Sequence, residues 1–142
     1  MVTVTYGDRA THLRRTMDSV LSQPRVRVIV ISNGSAKPTF DLLCDYQARY
    51  MTRLQFVNFE RNRGSAPAFA DALRLAYEFA DPILVLDDDN PISPATLASL
   101  RTLSPVVEQE TRAPTALVVH RPVNSAQRSV LAGTPVDEVF RE

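Results

Sequence analysis

A chain of 142 residues, 44% hydrophobic and 23% charged, is long enough for one domain with its own core and too ordinary in composition for a disordered or fibrous protein. Its 16 basic and 16 acidic side chains cancel, which removes the electrostatic reason to expect general nucleic-acid or anionic-membrane binding. The single cysteine, Cys44, excludes an internal disulfide and a cysteine-based zinc cluster, and beside Leu42 and Leu43 it reads as a simple buried residue.

Val2-Thr3-Val4-Thr5-Tyr6 is short and β-branched, and Gly7-Asp8 ends it with turn chemistry, so it is the first predicted strand. It starts at once, without a basic segment and apolar stretch of the secretory kind, and no apolar run approaches the ~18 residues of a membrane-spanning helix. A cytoplasmic place, or the cytoplasmic face of a membrane, is the expectation. From Thr11, Leu13, Met17, Val20 and Leu21 recur at helical spacing up to Gln23-Pro24. Val26–Ile31 is a second strand, closed by the turn-forming Ser32-Asn33-Gly34-Ser35. Pro38 opens a helix to about Tyr50, and Leu54–Phe59 is a third strand. Glu60–Gly64 leads to a third helix from Ser65, where Pro67 fits only the first turn and Phe69, Ala72, Leu73, Ala76 and Tyr77 form the buried face. The run Ile83-Leu84-Val85-Leu86 reads as a fourth strand, buried on both faces. Ser93-Pro94 supplies an N-cap and first position for a helix to about Leu103. After the charged link Glu108-Gln109-Glu110, Ala116–Val119 is a fifth strand; beyond Pro122 the pattern fades. Strand and helix alternate throughout, so the fold class is α/β, a mostly parallel sheet with helices on both faces.

Asp87-Asp88-Asp89-Asn90 follow directly on the fourth strand, at its carboxyl end. Ligands of open α/β sheets bind outside the carboxyl ends of the strands. Three adjacent carboxylates repel one another and call for a compensating cation, for which a hard Mg²⁺ or Mn²⁺ bridging to phosphates is suited. The plainer alternative is a solvated acidic turn that starts the next helix. His12 and His120 each lack a second ligand at metal spacing and read as surface or satisfied core residues.

Four stretches stand at equivalent strand ends: Thr5-Tyr6-Gly7-Asp8-Arg9, Ile31-Ser32-Asn33-Gly34-Ser35, Asn62-Arg63-Gly64 and Leu86-Asp87-Asp88-Asp89. In order and spacing they resemble the N-terminal half of the inverting family 2 glycosyltransferases of the Rossmann-like GT-A fold, which use nucleotide-diphosphate sugars. The resemblance covers residues 2 to 121 and rests on four motifs agreeing, since any one alone is weak. It implies a nucleotide-sugar-binding half over residues 1–122 and a tail over 123–142 that begins an acceptor half. It places Thr5 and Tyr6 at the base, with the Tyr6 ring free to stack or else packing on the next helix. It places Asn33 at the base edge, and Arg63 with Asn62 near base and phosphates. The Asp-x-Asp motif falls on Asp87-Asp88-Asp89, with Asp87 and Asp88 toward the nucleotide and Asp89, with Asp87, toward a Mg²⁺ or Mn²⁺ that bridges the diphosphate. Gly64, just before a helix, then offers N–H groups to phosphate, the alternative being an ordinary loop glycine.

Two departures qualify the resemblance. Family members usually carry an acid where this chain has Ser32, and often another after Ser35, where it has Ala36-Lys37, so base selectivity is expected to differ. The chain also stops where the acceptor half would begin, and Asp137 or Glu138 is a poor substitute for the general base that half supplies. The expectation is therefore a glycosyltransferase donor domain for a UDP- or dTDP-type sugar that does not itself complete transfer. The sheet edge a second half would cover should be exposed and favour self-association. A non-catalytic nucleotide-sugar-binding module and a nucleotidyltransferase-like domain are the alternatives. The second is disfavoured by Gly7-Asp8-Arg9-Ala10, which is poor in glycine and positive charge for a phosphate loop. A phospho-receiver-like domain would split its acids among strands and pair them with a later lysine.

Overall fold

The computed structural model describes residues 1–78 and 82–111. The predicted strand Ala116–Val119, the tail, His120, Asp137 and Glu138 lie outside the described residues. The elements run β1 (Val2–Gly7), α1 (Ala10–Leu21), β2 (Val28–Ser35), α2 (Lys37–Arg49), β3 (Leu54–Phe59), α3 (Ser65–Tyr77) and α4 (Pro94–Thr111). The first compact unit is Met1–Ser104, and the packing described below lies within it.

The three strands form one parallel sheet in the order β1-β2-β3. In register, Val2, Thr3 and Val4 face Ile29, Val30 and Ile31 of β2, and Val28 to Asn33 face Leu54 to Phe59 of β3. On the other side of β1, Val2 bridges Val85: its N–H donates to the Leu84 carbonyl at 2.8 Å and its carbonyl accepts from the Leu86 N–H at 3.1 Å. The spatial order is therefore β3, β2, β1, then residues 84–86. The chain winds one way from β1 and returns on its far side, which makes the gap between β1 and residues 84–86 the point where strand order reverses.

β2 is apolar on every residue from Val28 to Ile31 because both faces are covered. Val28 and Val30 point to a cluster with Leu13, Met17 and Val20 of α1, Leu42, Leu43 and Tyr46 of α2, and Leu97 of α4. Ile29 and Ile31, with Val2 and Val4, point the other way to Ala68, Ala72 and Ala76 of α3. The two faces are built differently: α1 and α2 fill space with long side chains, whereas the alanine stripe lets α3 lie close on β1 and β2.

Several expectations from the sequence need correcting. β2 does not close at Ile31 but continues to Ser35, since Ser32 and Asn33 pair with Asn58 and Phe59, and Ser35 with Gly7. Residues 83–86 make a single bridge rather than a full strand, and they are not buried on both faces: Val85 is 48% exposed. An apolar run registers the side it shares with β1 and says nothing of the other. Tyr77 is exposed, and the small Ala68 takes the place expected of a larger residue. Cys44 is exposed, one position round the helix from the buried Leu42 and Leu43. α4 runs through Pro105 and through Glu108-Gln109-Glu110 at the cost of one backbone hydrogen bond. Ser93 caps it as expected, its Oγ accepting the Thr96 N–H at 3.0 Å. No helix among the described residues is long and apolar enough to cross a membrane.

Candidate functional site

At the carboxyl ends of the strands, around the point where strand order reverses, lies an open cleft of about 440 Å³. One wall is the acidic turn, with Tyr6 and Arg9 beside it. The opposite wall is Asn33, Asn62 and the start of α3 at Gly64 and Ser65.

The acidic wall is held by charge. β1 ends in a register shift between Thr5 and Gly7, and Gly7 takes a φ of +54°, a conformation cheap only for glycine. That turn delivers Arg9 to the N-cap of α1, where its N–H donates to Thr39 Oγ1 at 2.8 Å and its carbonyl accepts from the Leu13 N–H at 2.9 Å. With its backbone fixed, Arg9 reaches the acids. Its Nη2 donates to Asp88 Oδ1 at 2.7 Å and to Asp89 Oδ2 at 2.8 Å, and its Nε to Asp88 Oδ2 at 3.2 Å. The buried Thr5 hydroxyl donates to Asp88 Oδ2 at 2.6 Å. These bonds hold the Arg9 guanidinium even more firmly protonated than usual. Both Asp88 oxygens are thus engaged and its side chain is 4% exposed, against 44% for Asp89. Asp87 is exposed, and among the described residues its side chain has only Asn90 Nδ2, at 3.4 Å on its Oδ2. The turn is closed by the Asn90 N–H on the Asp87 carbonyl, and just beyond it the Ile92 N–H is held by Ser19 Oγ at 3.0 Å.

The facing wall is held by neutral amides. Asn33, buried at the end of β2, accepts the Arg63 N–H at 2.9 Å and donates through Nδ2 to Asn62 Oδ1 and the Gly64 carbonyl, both at 3.0 Å. Asn62 Oδ1 also takes the Gly64 N–H at 2.8 Å. At Gly34 the backbones of the two segments nearly touch: a Cβ there would lie 2.5 Å from the Asn62 nitrogen. Gly64 (φ +87°) begins α3 with no side-chain cap, which leaves the first-turn N–H groups of that helix for a ligand or solvent.

Of the residues singled out in the sequence, Tyr6, Asn33, Asn62, Asp87, Asp88 and Asp89 come together on the cleft. Thr5 lies under Asp88 and not on the lining. The Arg63 side chain is also off the lining; it stacks on Phe59 at 4.4 Å and pairs with Asp71 at 3.4 Å. His12 is at the surface. Arg9 had no role assigned from the sequence, although the requirement for a cation beside three acids, and its place just past the neighbouring strand end, pointed to it. Among the described residues no three His, Cys, Asp or Glu side chains converge into a metal cluster.

A parallel sheet with helices on both faces and an acid-walled cleft where strand order reverses defines a Rossmann-like α/β domain. The model of the family described as glycosyl transferase family 2 matches residues 1–104, and the chain belongs to that family. It is also similar to the poly-beta-1,6-N-acetyl-D-glucosamine synthase of Staphylococcus epidermidis, 35% identical over 92 residues. The match takes in 61% of this chain and 22% of that protein, so the chain spans about a fifth of the relative's length. Membership of that family separates the chain from the nucleotidyltransferase-like and receiver-like alternatives.

Proposed function

We propose that the cleft takes the nucleoside diphosphate of a nucleotide-sugar donor together with one Mg²⁺ or Mn²⁺, for transfer of the sugar with inversion in the complete enzyme. One observation carries the reading: carboxylates with oxygens that have no partner among the described residues face, across a single cleft, a helix N-terminus without a side-chain cap. A diphosphate is attracted by the N–H groups at such a helix end and repelled by carboxylates, so the two walls serve one ligand only with a cation between them. The charges agree with this. Three aspartates against one arginine leave two negative charges, which one divalent ion neutralises.

Asp89 and Asp87 suit a hard ion that takes a few carboxylate oxygens and completes its shell with phosphate and water. Bound there, the ion supplies Lewis-acid stabilisation of the departing diphosphate. Asp88, committed to Thr5 and Arg9, fixes the turn from which its neighbours reach the cleft. Tyr6, half exposed beside the cleft, offers a ring for base stacking. Asn33 and Asn62 hold the phosphate-side wall in place. The name of the relative makes N-acetylglucosamine the first sugar to test.

Titration calorimetry with UDP, dTDP and GDP, and with UDP-N-acetylglucosamine, with and without Mn²⁺, tests the reading. Metal-dependent binding of a uridine or thymidine diphosphate is expected, and Asp89→Ala should remove the metal-dependent part with circular dichroism unchanged. A folded Asp89→Ala chain that keeps its Mn²⁺-dependent affinity would exclude Asp89 as the main metal ligand.

A further inference from the structure

We propose that Arg9 is a built-in counter-ion whose hold on Asp88 is permanent and whose hold on Asp89 is displaceable, so that it holds down the affinity of the acidic turn for a divalent cation on its own. The inference deepens the donor-site reading and rests on it.

The two contacts of Arg9 differ in kind. Toward Asp88 it is two-pronged, through Nε at 3.2 Å and Nη2 at 2.7 Å, onto a carboxylate that is 4% exposed and also bonded to Thr5 at 2.6 Å. Letting go would leave a buried, unpaired charge, which is costly. Toward Asp89 it is one bond from the same Nη2, at 2.8 Å, onto a side chain that is 44% exposed. Water replaces such a bond readily. A second Asp89 oxygen and an Asp87 oxygen have no hydrogen bond among the described residues.

A divalent ion that approaches Asp89 therefore meets a carboxylate already bridged to a fixed positive charge. It can take the other Asp89 oxygen, but must sit close to a like charge, and it meets Arg9 directly wherever it needs Oδ2 as well. A diphosphate removes that handicap. It adds negative charge next to the guanidinium, whose Nη1 has no partner among the described residues, and Arg9 lies on the cleft lining with Tyr6 5.7 Å from its central carbon. Metal and nucleotide are thus coupled through Arg9: each should bind more tightly when the other is present, and the turn alone should hold metal poorly. Arg9 is a positioning residue, acting through Asp88 and Asp89.

The test is Mn²⁺ binding without nucleotide, followed by electron paramagnetic resonance of the free ion, in the parent chain, Arg9→Gln and the double variant Arg9→Gln/Asp88→Asn. Loss of a unit charge at contact range should tighten Mn²⁺ by roughly tenfold in Arg9→Gln. The gain should vanish when Asp89→Ala is added, and the mutual enhancement of Mn²⁺ and UDP seen in the parent should shrink. Should Arg9→Gln fail to fold because Asp88 is left unpaired, the double variant replaces the ion pair with an amide pair and should still bind Mn²⁺ several-fold more tightly than the parent. Unchanged Mn²⁺ affinity in a folded variant lacking Arg9 overturns the proposal, as does a gain that survives Asp89→Ala. The donor-site reading fails separately, if the parent chain binds no nucleoside diphosphate with or without Mn²⁺.

Discussion

The two walls of the cleft are fixed by opposite means. On the β2 and α3 side, Asn33, Asn62 and Gly64 are joined by neutral hydrogen bonds, and Gly34 brings two backbones almost into contact. On the β1 side, Thr5, Arg9 and the aspartates are joined by charge. Neutral hydrogen bonds carry no net charge, so salt screens them little and they set one geometry. Ion pairs at a cleft edge exchange with whatever ions arrive. A site that binds a highly charged ligand gains from having one wall that stays put and another whose partners can be traded.

Substitutions can break or sharpen this contrast. The largest effect is expected at Asp88, where the charged wall reaches into the core. Asp88→Ala leaves the Arg9 guanidinium without its main partner and the buried Thr5 hydroxyl without an acceptor, and should cost about 3 kcal/mol in urea unfolding. A loss below about 1 kcal/mol would show that the pair is no anchor. Next is Gly34→Ala on the neutral wall. The φ of +73° and a methyl 2.5 Å from the Asn62 nitrogen should cost about 2 kcal/mol, and the loss should be the same at low and high salt, unlike that of Asp88→Ala. Tyr6→Ala leaves both walls standing. Lost stacking is typically worth about 1 to 3 kcal/mol, so nucleoside diphosphate affinity should fall roughly tenfold or more with no change in melting temperature. If affinity is kept, the ring plays no part in binding. The smallest effect is expected at Ser93→Ala, remote from either wall, which removes the cap of α4 and should cost about 1 kcal/mol without touching ligand binding.

Much of this was legible in the sequence, for identifiable reasons. β3 is found at Leu54–Phe59 as expected, and α3 begins at Ser65, because alternation and a proline in the first turn are local signals. The end of β2 was not legible. Ser32, Asn33 and Gly34 have turn chemistry, and what keeps them extended is the pairing of β2 with its neighbours, which composition does not record. The acids and Asn33 stood out by position, but their engagement did not. Three adjacent aspartates look alike in a sequence, and only the turn they form sends Asp88 inward and leaves Asp87 and Asp89 at the cleft. Arg9 was legible as a cation just past a strand end, but not its pairing with Asp88, which lies 79 residues away.

That separation bears on the order in which the molecule assembles. Val2 meets Ile29 across one helical crossover, while Thr5 must wait for Asp88, 83 residues on. Closing the longer loop costs more chain entropy, and the reward is one bridge and a few side-chain bonds rather than a whole ladder. The β1-β2-β3 sheet with α1 and α2 can therefore form first, with residues 84–90 docking afterwards onto the outer side of β1. In the folded protein the same asymmetry should survive as a difference in opening: the Leu86 amide should exchange its hydrogen well before those of Val30 and Ile31. A nascent chain would thus possess a sheet before its aspartates are held in place beside it.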